Sequence, residues 1–121
     1  MKLSGVKVLD LSAFLPGPHM TMMMADHGAD VVMVEPDNGL GEPTRNMGET
    51  YADGTSVWFT NIARGKKSYK VNLKDTRQHA EFMKLAKEAD VFVANEDVDE
   101  AADAALVVAD ALTDAGVRRF K

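Results

Sequence analysis

An almost uninterrupted apolar run, Val31 to Val34 between Asp30 and Glu35, places the strongest limit on the fold. Strands whose side chains are buried on both faces have this composition, and they usually lie inside parallel sheets. A second run rich in β-branched residues, 6–11, precedes it, and Gly28 stands where a helix between the two would end. Because two parallel strands need a crossover connection, usually a helix, these segments predict the start of an α/β fold.

The rest of the chain repeats this alternation of strands and helices. Further strands are predicted over 67–73, where polar and apolar residues alternate, and over 91–94. Helices are predicted over 19–27, 56–63, 75–89 and 99–115, and the polar stretch 36–54 is predicted to be an irregular loop. The order predicts an open, mostly parallel sheet of about four strands with helices on both faces. Pro16, Gly17 and Pro18 are expected to keep the first helix from starting before Pro18.

Composition narrows the class of protein. The 121 residues, 45% of them hydrophobic, predict a single domain over 1–121. Without cysteine there is no disulfide and no thiolate metal site, which is consistent with a cytoplasmic location. The histidines show no metal-ligand spacing, no apolar run could span a membrane, and a pI near 5.1 argues against nucleic-acid binding.

The turn after the first predicted strand is the first candidate site. In open α/β sheets, ligands bind beyond the carboxyl ends of the strands, and residues 12–18 occupy that position. A rigid loop that only reverses the chain is the simpler interpretation, because no G-x-G-x-x-G motif is present. Glu35, at the end of the second strand, stands where dinucleotide-binding proteins carry a ribose-binding acid, but an exposed carboxylate is the simpler expectation.

A local basic cluster is the second candidate site. Eleven residues contain five cations and no acid in an otherwise acidic chain: Arg64, Lys66, Lys67, Lys70 and Lys74. Such a cluster suits phosphate groups, which bind lysine and arginine through charge-assisted hydrogen bonds. Lysines that protect an edge strand from pairing with another chain would give the same pattern, and the residues alone leave both interpretations open.

Five segments, in order over residues 5 to 95, resemble the class III coenzyme A transferases of the CaiB/BaiF type. The first is G-V-K-V-L-D-L from Gly5, followed by P-G-P from Pro16 and by A-D-H-G-A-D-V-V-M-V-E-P, which ends at Pro36. Asn61 begins N-I-A-R-G-K-K-S, and the stretch 70–74 with A-D-V-F-V-A-N at 89–95 completes the match. The resemblance implies a Rossmann-like domain that binds coenzyme A.

The resemblance also assigns roles to individual residues. The loop at Phe14, Leu15 and Pro16 would lie near the thioester, and Pro36 would lie beside the nucleotide. The other assigned residues are the basic cluster's Arg64, Lys66 and Lys67, which would meet the phosphates of coenzyme A, and Asn95, which would line the adenine or pantetheine path. No metal is implied.

Departures from the family pattern limit what can be assigned. The family usually carries Gln or another residue before its A-G-P, and here Leu15-Pro16 stands at that point. Acids from Glu96 onward replace the family's F-x-P-G turn. The family's acyl-accepting aspartate lies beyond residue 95, and residues 97–121 form a divergent acidic tail, so no catalytic residue is assigned. The expected function is a CoA-binding lobe that acts on a CoA thioester in CoA transfer between carboxylic acids. The chain would work as a homodimer or in a hetero-complex with a chain that supplies the missing half; the alternative is a non-catalytic binding or regulatory module.

Overall fold

Four parallel strands form a single open sheet in the computed structural model, which describes residues 1–94. The strands are β1 (Lys7–Asp10), β2 (Asp30–Pro36), β3 (Lys67–Val71) and β4 (Val91–Val93). Their spatial order is β3-β2-β1-β4, so the first strand lies inside the sheet. All three strand pairs are parallel, which confirms the predicted α/β class.

Helices connect these strands and cover both faces of the sheet. They are α1 (Pro16–Asp26), α2 (Val57–Ala63) and α3 (Thr76–Glu88), and a short 3-10 helix spans Pro43–Asn46. Val8 packs in a cluster that includes Met24 of α1, whereas its neighbour Leu9 packs against Phe82 of α3. Since consecutive strand residues point to opposite faces, α1 and α3 lie on opposite sides of the sheet.

The start of α1 corrects one prediction. The helix begins at Pro16, so the Pro16-Gly17-Pro18 segment forms its first turn and does not precede it. Amides in the first turn of a helix have no partner within the helix, so the missing N–H groups of the two prolines remove no helical hydrogen bond. Gly28 follows the carboxyl end of α1, as predicted, and its φ of 98° is one that glycine adopts more easily than other residues.

The stretch between β2 and α2 is more ordered than the predicted irregular loop. It contains the 3-10 helix, and Glu42 and Thr44 within it are buried. Glu42 caps the 3-10 helix by accepting a hydrogen bond from the Thr44 amide. This connection therefore has a fixed structure on the α1 side of the sheet, near the carboxyl end of β2.

Within residues 1–94, no helix is long and apolar enough to cross a membrane. The same range contains no group of three or more histidine and carboxylate side chains arranged to hold a metal ion. The predicted acidic helix over 99–115 and Asn95 lie outside the described residues.

Candidate functional site

The loop that follows β1 presents an apolar surface at the carboxyl end of the sheet. Phe14 and Leu15 are 37% and 54% exposed, while Ala13 just before them is buried. Phe14 has a φ of 69°, the one positive φ outside glycine in residues 1–94. Such a conformation is unfavourable for a residue with a Cβ, and it persists only where the surrounding structure holds it. The loop thus combines exposure with a fixed, strained backbone.

The amino end of α1 offers few donors beside this loop. Of the first three helical residues, only Gly17 carries an amide hydrogen, because Pro16 and Pro18 have none. Helix amino termini bind anions mainly through such N–H groups. Pro16 is exposed, so what this end of α1 presents to a ligand is largely apolar.

Asp10, the last residue of β1, is a fully buried carboxylate directly beneath the loop. It accepts hydrogen bonds from the Ser12 amide at 2.9 Å and from the hydroxyls of Ser12 and Thr21. The Lys66 Nζ lies 3.1 Å from Asp10 Oδ2 and also donates to the Pro18 carbonyl at 3.0 Å. Lys66 therefore joins the amino end of β3 to both β1 and α1, and its side chain is only 1% exposed.

A second buried carboxylate, Glu35, lies near the carboxyl end of β2, which corrects the expectation that this residue is an exposed acid. The Arg45 guanidinium binds it through two nitrogens, with Nη2 at 2.8 Å from Oε2, and the Ser68 hydroxyl donates to it as well. Burial by itself raises the pKa of Glu35, but the bonds from Arg45, Ser68 and the Glu42 amide outweigh it and hold the pKa at about 2. Glu35 is therefore a structural anion.

The Arg45 side chain also contacts α2. Its guanidinium carbon lies 4.1 Å from the centre of the Phe59 ring, within the range of a cation–π interaction. Burial opposes the charge on Arg45, but its pKa is raised because the hydrogen bond to Glu35 is the larger effect. Arg45 thus links the segment between β2 and α2 to Glu35 of β2 and to Phe59 of α2.

The three predicted phosphate ligands do not form one cluster. Arg64, the residue after α2, pairs with Asp26 of α1 at 2.7 Å, and Lys67 pairs with Asp30 at 2.9 Å. Lys66 and Lys67 are adjacent in sequence and point to opposite faces of the sheet. Each of the three cations has a carboxylate partner, but Arg64 and Lys67 remain 53% and 71% exposed.

The remaining assigned residues lie apart from this region. Pro36 ends β2 beside Val71, whereas Lys67 lies beside Val32, four residues earlier in β2. At the rise of a β-strand, that separation is about 13 Å along the sheet. Phe14, Leu15 and Pro36 are thus at the carboxyl end, and Lys67 reaches back to Asp30 at the amino end of β2. A ligand that contacts both groups has to be long.

The buried carboxylate network was not found from the sequence. Asp10 and Glu35 each end an apolar run, which is the one signal that could have pointed to burial. Their cations, Lys66 and Arg45, lie 56 and 10 residues further along the chain. Nothing in the local pattern indicates these pairings, because the sheet brings the partners together.

Similarity to known proteins identifies the family to which this chain belongs. The sequence profile of CoA-transferase family III matches residues 3–112, and the chain belongs to this family. The family resemblance inferred from the motifs is thereby confirmed.

Individual relatives support the assignment. The succinyl-CoA:glutarate CoA-transferase of Mus musculus is 43% identical over 93 residues, which is 77% of this chain and 21% of the relative. The formyl-CoA:oxalate CoA-transferase of Escherichia coli O139:H28 is 37% identical over 93 residues, 77% of this chain and 22% of the relative. The crystal structure of a CaiB/BaiF family protein from Brucella suis matches with a TM-score of 0.69 and 32% identity, over 77% of this chain and 25% of that one. The chain spans between a fifth and a quarter of the length of these proteins.

Proposed function

We propose that this chain is the CoA-binding lobe of a family III CoA transferase and acts in CoA transfer between carboxylic acids. The observation that carries the proposal is the family match over residues 3–112. Relatives are named for transfer from succinyl-CoA or formyl-CoA to a carboxylic acid. The aspartate that accepts the acyl group would come from a different chain in a hetero-complex, since a second copy of these 121 residues adds no residue that the first copy lacks.

The exposed loop after β1 is the part of the lobe that would meet the thioester. Phe14, Leu15 and Pro16 are exposed at the carboxyl end of the sheet, where open α/β folds bind ligands. Pro36 would lie beside the nucleotide and Asn95 along the adenine or pantetheine path. The apolar character of the loop suits an acyl chain or pantetheine arm better than an anion.

The phosphates would be bound by Arg64 and Lys67. Both side chains are exposed and held by partly exposed carboxylates, so a phosphate could replace Asp26 or Asp30 at little cost. Lys66 would have to leave the buried Asp10 carboxylate uncompensated, which is expensive. We therefore assign Lys66 a supporting role, in which it holds Asp10 and α1 beneath the loop.

Coenzyme A binding tests this assignment directly. The double variant Arg64→Gln with Lys67→Gln should bind coenzyme A at least tenfold more weakly, since each charge-assisted hydrogen bond contributes about 1.5–3 kcal/mol. Isothermal calorimetry at moderate salt measures the change. Lys84→Gln with Lys87→Gln removes the same charge from exposed positions of α3 and is the matched control. Equal weakening by both double variants would contradict the assignment, and no binding by the unaltered chain at millimolar ligand would refute the CoA-binding lobe.

The partner chain is tested by reconstitution. The assay adds a second chain that carries the rest of the family sequence, including its aspartate. Co-expression should give CoA transfer from succinyl-CoA to a dicarboxylic acid, and this chain alone should give none. Coenzyme A binding without transfer in the co-expressed complex would favour the non-catalytic module instead.

A further inference from the structure

We propose that Glu42 is a positioning residue that holds the loop after β1 in its ligand-binding conformation by accepting the Phe14 amide. Its effect on ligand affinity rests on the proposed function, whereas its effect on the loop does not. Glu42 belongs to the connection after β2, and Phe14 lies 28 residues earlier. The contact therefore joins two separate segments at the carboxyl end of the sheet.

The two carboxylate oxygens of Glu42 serve different segments. Oε1 accepts the Phe14 amide at 3.2 Å. Oε2 accepts the Thr44 amide at 2.9 Å together with the Thr44 hydroxyl, which caps the 3-10 helix. Capping alone accounts for only one oxygen, and the other oxygen is the one directed at the strained residue of the loop.

Phe14 needs such a partner. Its φ of 69° is unfavourable for a phenylalanine, so its backbone would relax towards negative φ without an external constraint. A hydrogen bond from the Phe14 amide to a buried acceptor fixes the peptide plane between Ala13 and Phe14. Because α1 fixes the chain from Pro16 onward, φ of Phe14 can relax only if that plane moves and the hydrogen bond breaks. The buried Glu42 carboxylate, only 3% exposed as a residue, is well suited to this because its position is fixed.

The position of Glu42 is fixed through Glu35. The Glu42 amide donates to Glu35 Oε1 at 2.9 Å, and Glu35 is bound in turn by Arg45 and Ser68. Gly41 fits this junction closely, because a Cβ there would lie 2.7 Å from Glu35 Oε1 and its φ is 73°. A continuous polar chain thus runs from Ser68 in β3 to the Phe14 amide.

The variant Glu42→Asp separates the two roles. Aspartate keeps the charge and is itself a strong helix cap, so the Thr44 amide should stay protected. Its side chain is one methylene shorter and should no longer reach Phe14. We expect amide hydrogen exchange at Phe14, measured by NMR, to become at least tenfold faster, and coenzyme A to bind several-fold more weakly. Glu49→Asp, the same change at an exposed acid in the same connection, is the control and should alter neither value.

A rescue variant distinguishes positioning from general destabilisation. Glycine adopts a positive φ without strain, so Glu42→Asp should lower the thermal transition less in a Phe14→Gly background than in the unaltered chain. The positioning role would be overturned if Glu42→Asp left the rate of amide hydrogen exchange at Phe14 unchanged. It would also be overturned if Glu42→Asp lowered the thermal transition equally in the unaltered chain and in the Phe14→Gly background. Faster Phe14 exchange with unchanged coenzyme A affinity would overturn its effect on the ligand. If the unaltered chain binds no coenzyme A, the proposed function fails, and the exchange rates still decide whether Glu42 holds the loop.

Discussion

Replacing Lys66 with methionine should lower the free energy of unfolding by about 3–5 kcal/mol, the usual consequence of removing one partner of a buried ion pair. The change leaves the Asp10 carboxylate without a cation at a site that water does not reach. It also removes the hydrogen bond to the Pro18 carbonyl at the start of α1. Urea denaturation followed by circular dichroism measures the loss. Lys74→Met removes an exposed lysine from the same basic cluster and should change stability by less than about 0.5 kcal/mol.

A second substitution separates the unpaired charge from lost packing. Adding Asp10→Asn to Lys66→Met removes the isolated charge and keeps an acceptor for the Ser12 amide. The double variant should therefore be more stable than Lys66→Met alone. If it is less stable, the buried charge is not the source of the loss.

The second large effect is expected at Arg45. Arg45→Met should destabilise the fold by about 3 kcal/mol at neutral pH, because Glu35 would stay buried with only Ser68 and an amide as donors. The lost contact with Phe59 adds to this. Arg77→Met removes an exposed arginine whose partner Glu81 lies one helical turn away, and it should cost less than about 0.5 kcal/mol.

The pH dependence gives this prediction a definite sign. The pKa of Glu35 falls from 4.5 to about 2 on folding, so its contribution to stability is complete above pH 4.5 and is lost as the pH falls to about 2. A shift of this size corresponds to roughly 3 kcal/mol. Without Arg45 the pKa of Glu35 should rise, so the stability difference between the two proteins should narrow as the pH falls through that range. A difference that stays constant from pH 7 to pH 2.5 would show that Glu35 ionisation is not involved.

The sequence predicted the sheet well because its strands carry local signals. The apolar run from Val31 to Val34 and the alternation around Tyr69 are visible within a few residues, and strand–helix order then limits the topology. The start of α1 was misjudged because Pro16 was interpreted as a helix breaker, whereas the first turn of a helix tolerates proline.

The candidate site was predictable only in part. The exposed loop at Phe14 follows from the general position of ligands in open α/β sheets. The basic cluster is equally visible, but the sequence cannot assign Lys66 to a buried acid and Lys67 to an exposed one. Those pairings, and the chain from Glu35 through Glu42 to Phe14, join residues that only the folded sheet brings together.

The central position of β1 has a consequence for the order in which the fold forms. A nascent chain has completed β1 and α1 long before it reaches β3, and Asp10 stays hydrated until Lys66 arrives from 56 residues downstream. Bringing Lys66 to Asp10 closes a loop of 56 residues, which costs conformational entropy. Contacts between residues so far apart in sequence form slowly. Once residues 1–71 are available, three adjacent strands can pair and neutralise Asp10, and β4 then adds to the free side of β1. The Lys66–Asp10 ion pair therefore cannot form until β1, α1, β2 and α2 have all been synthesised.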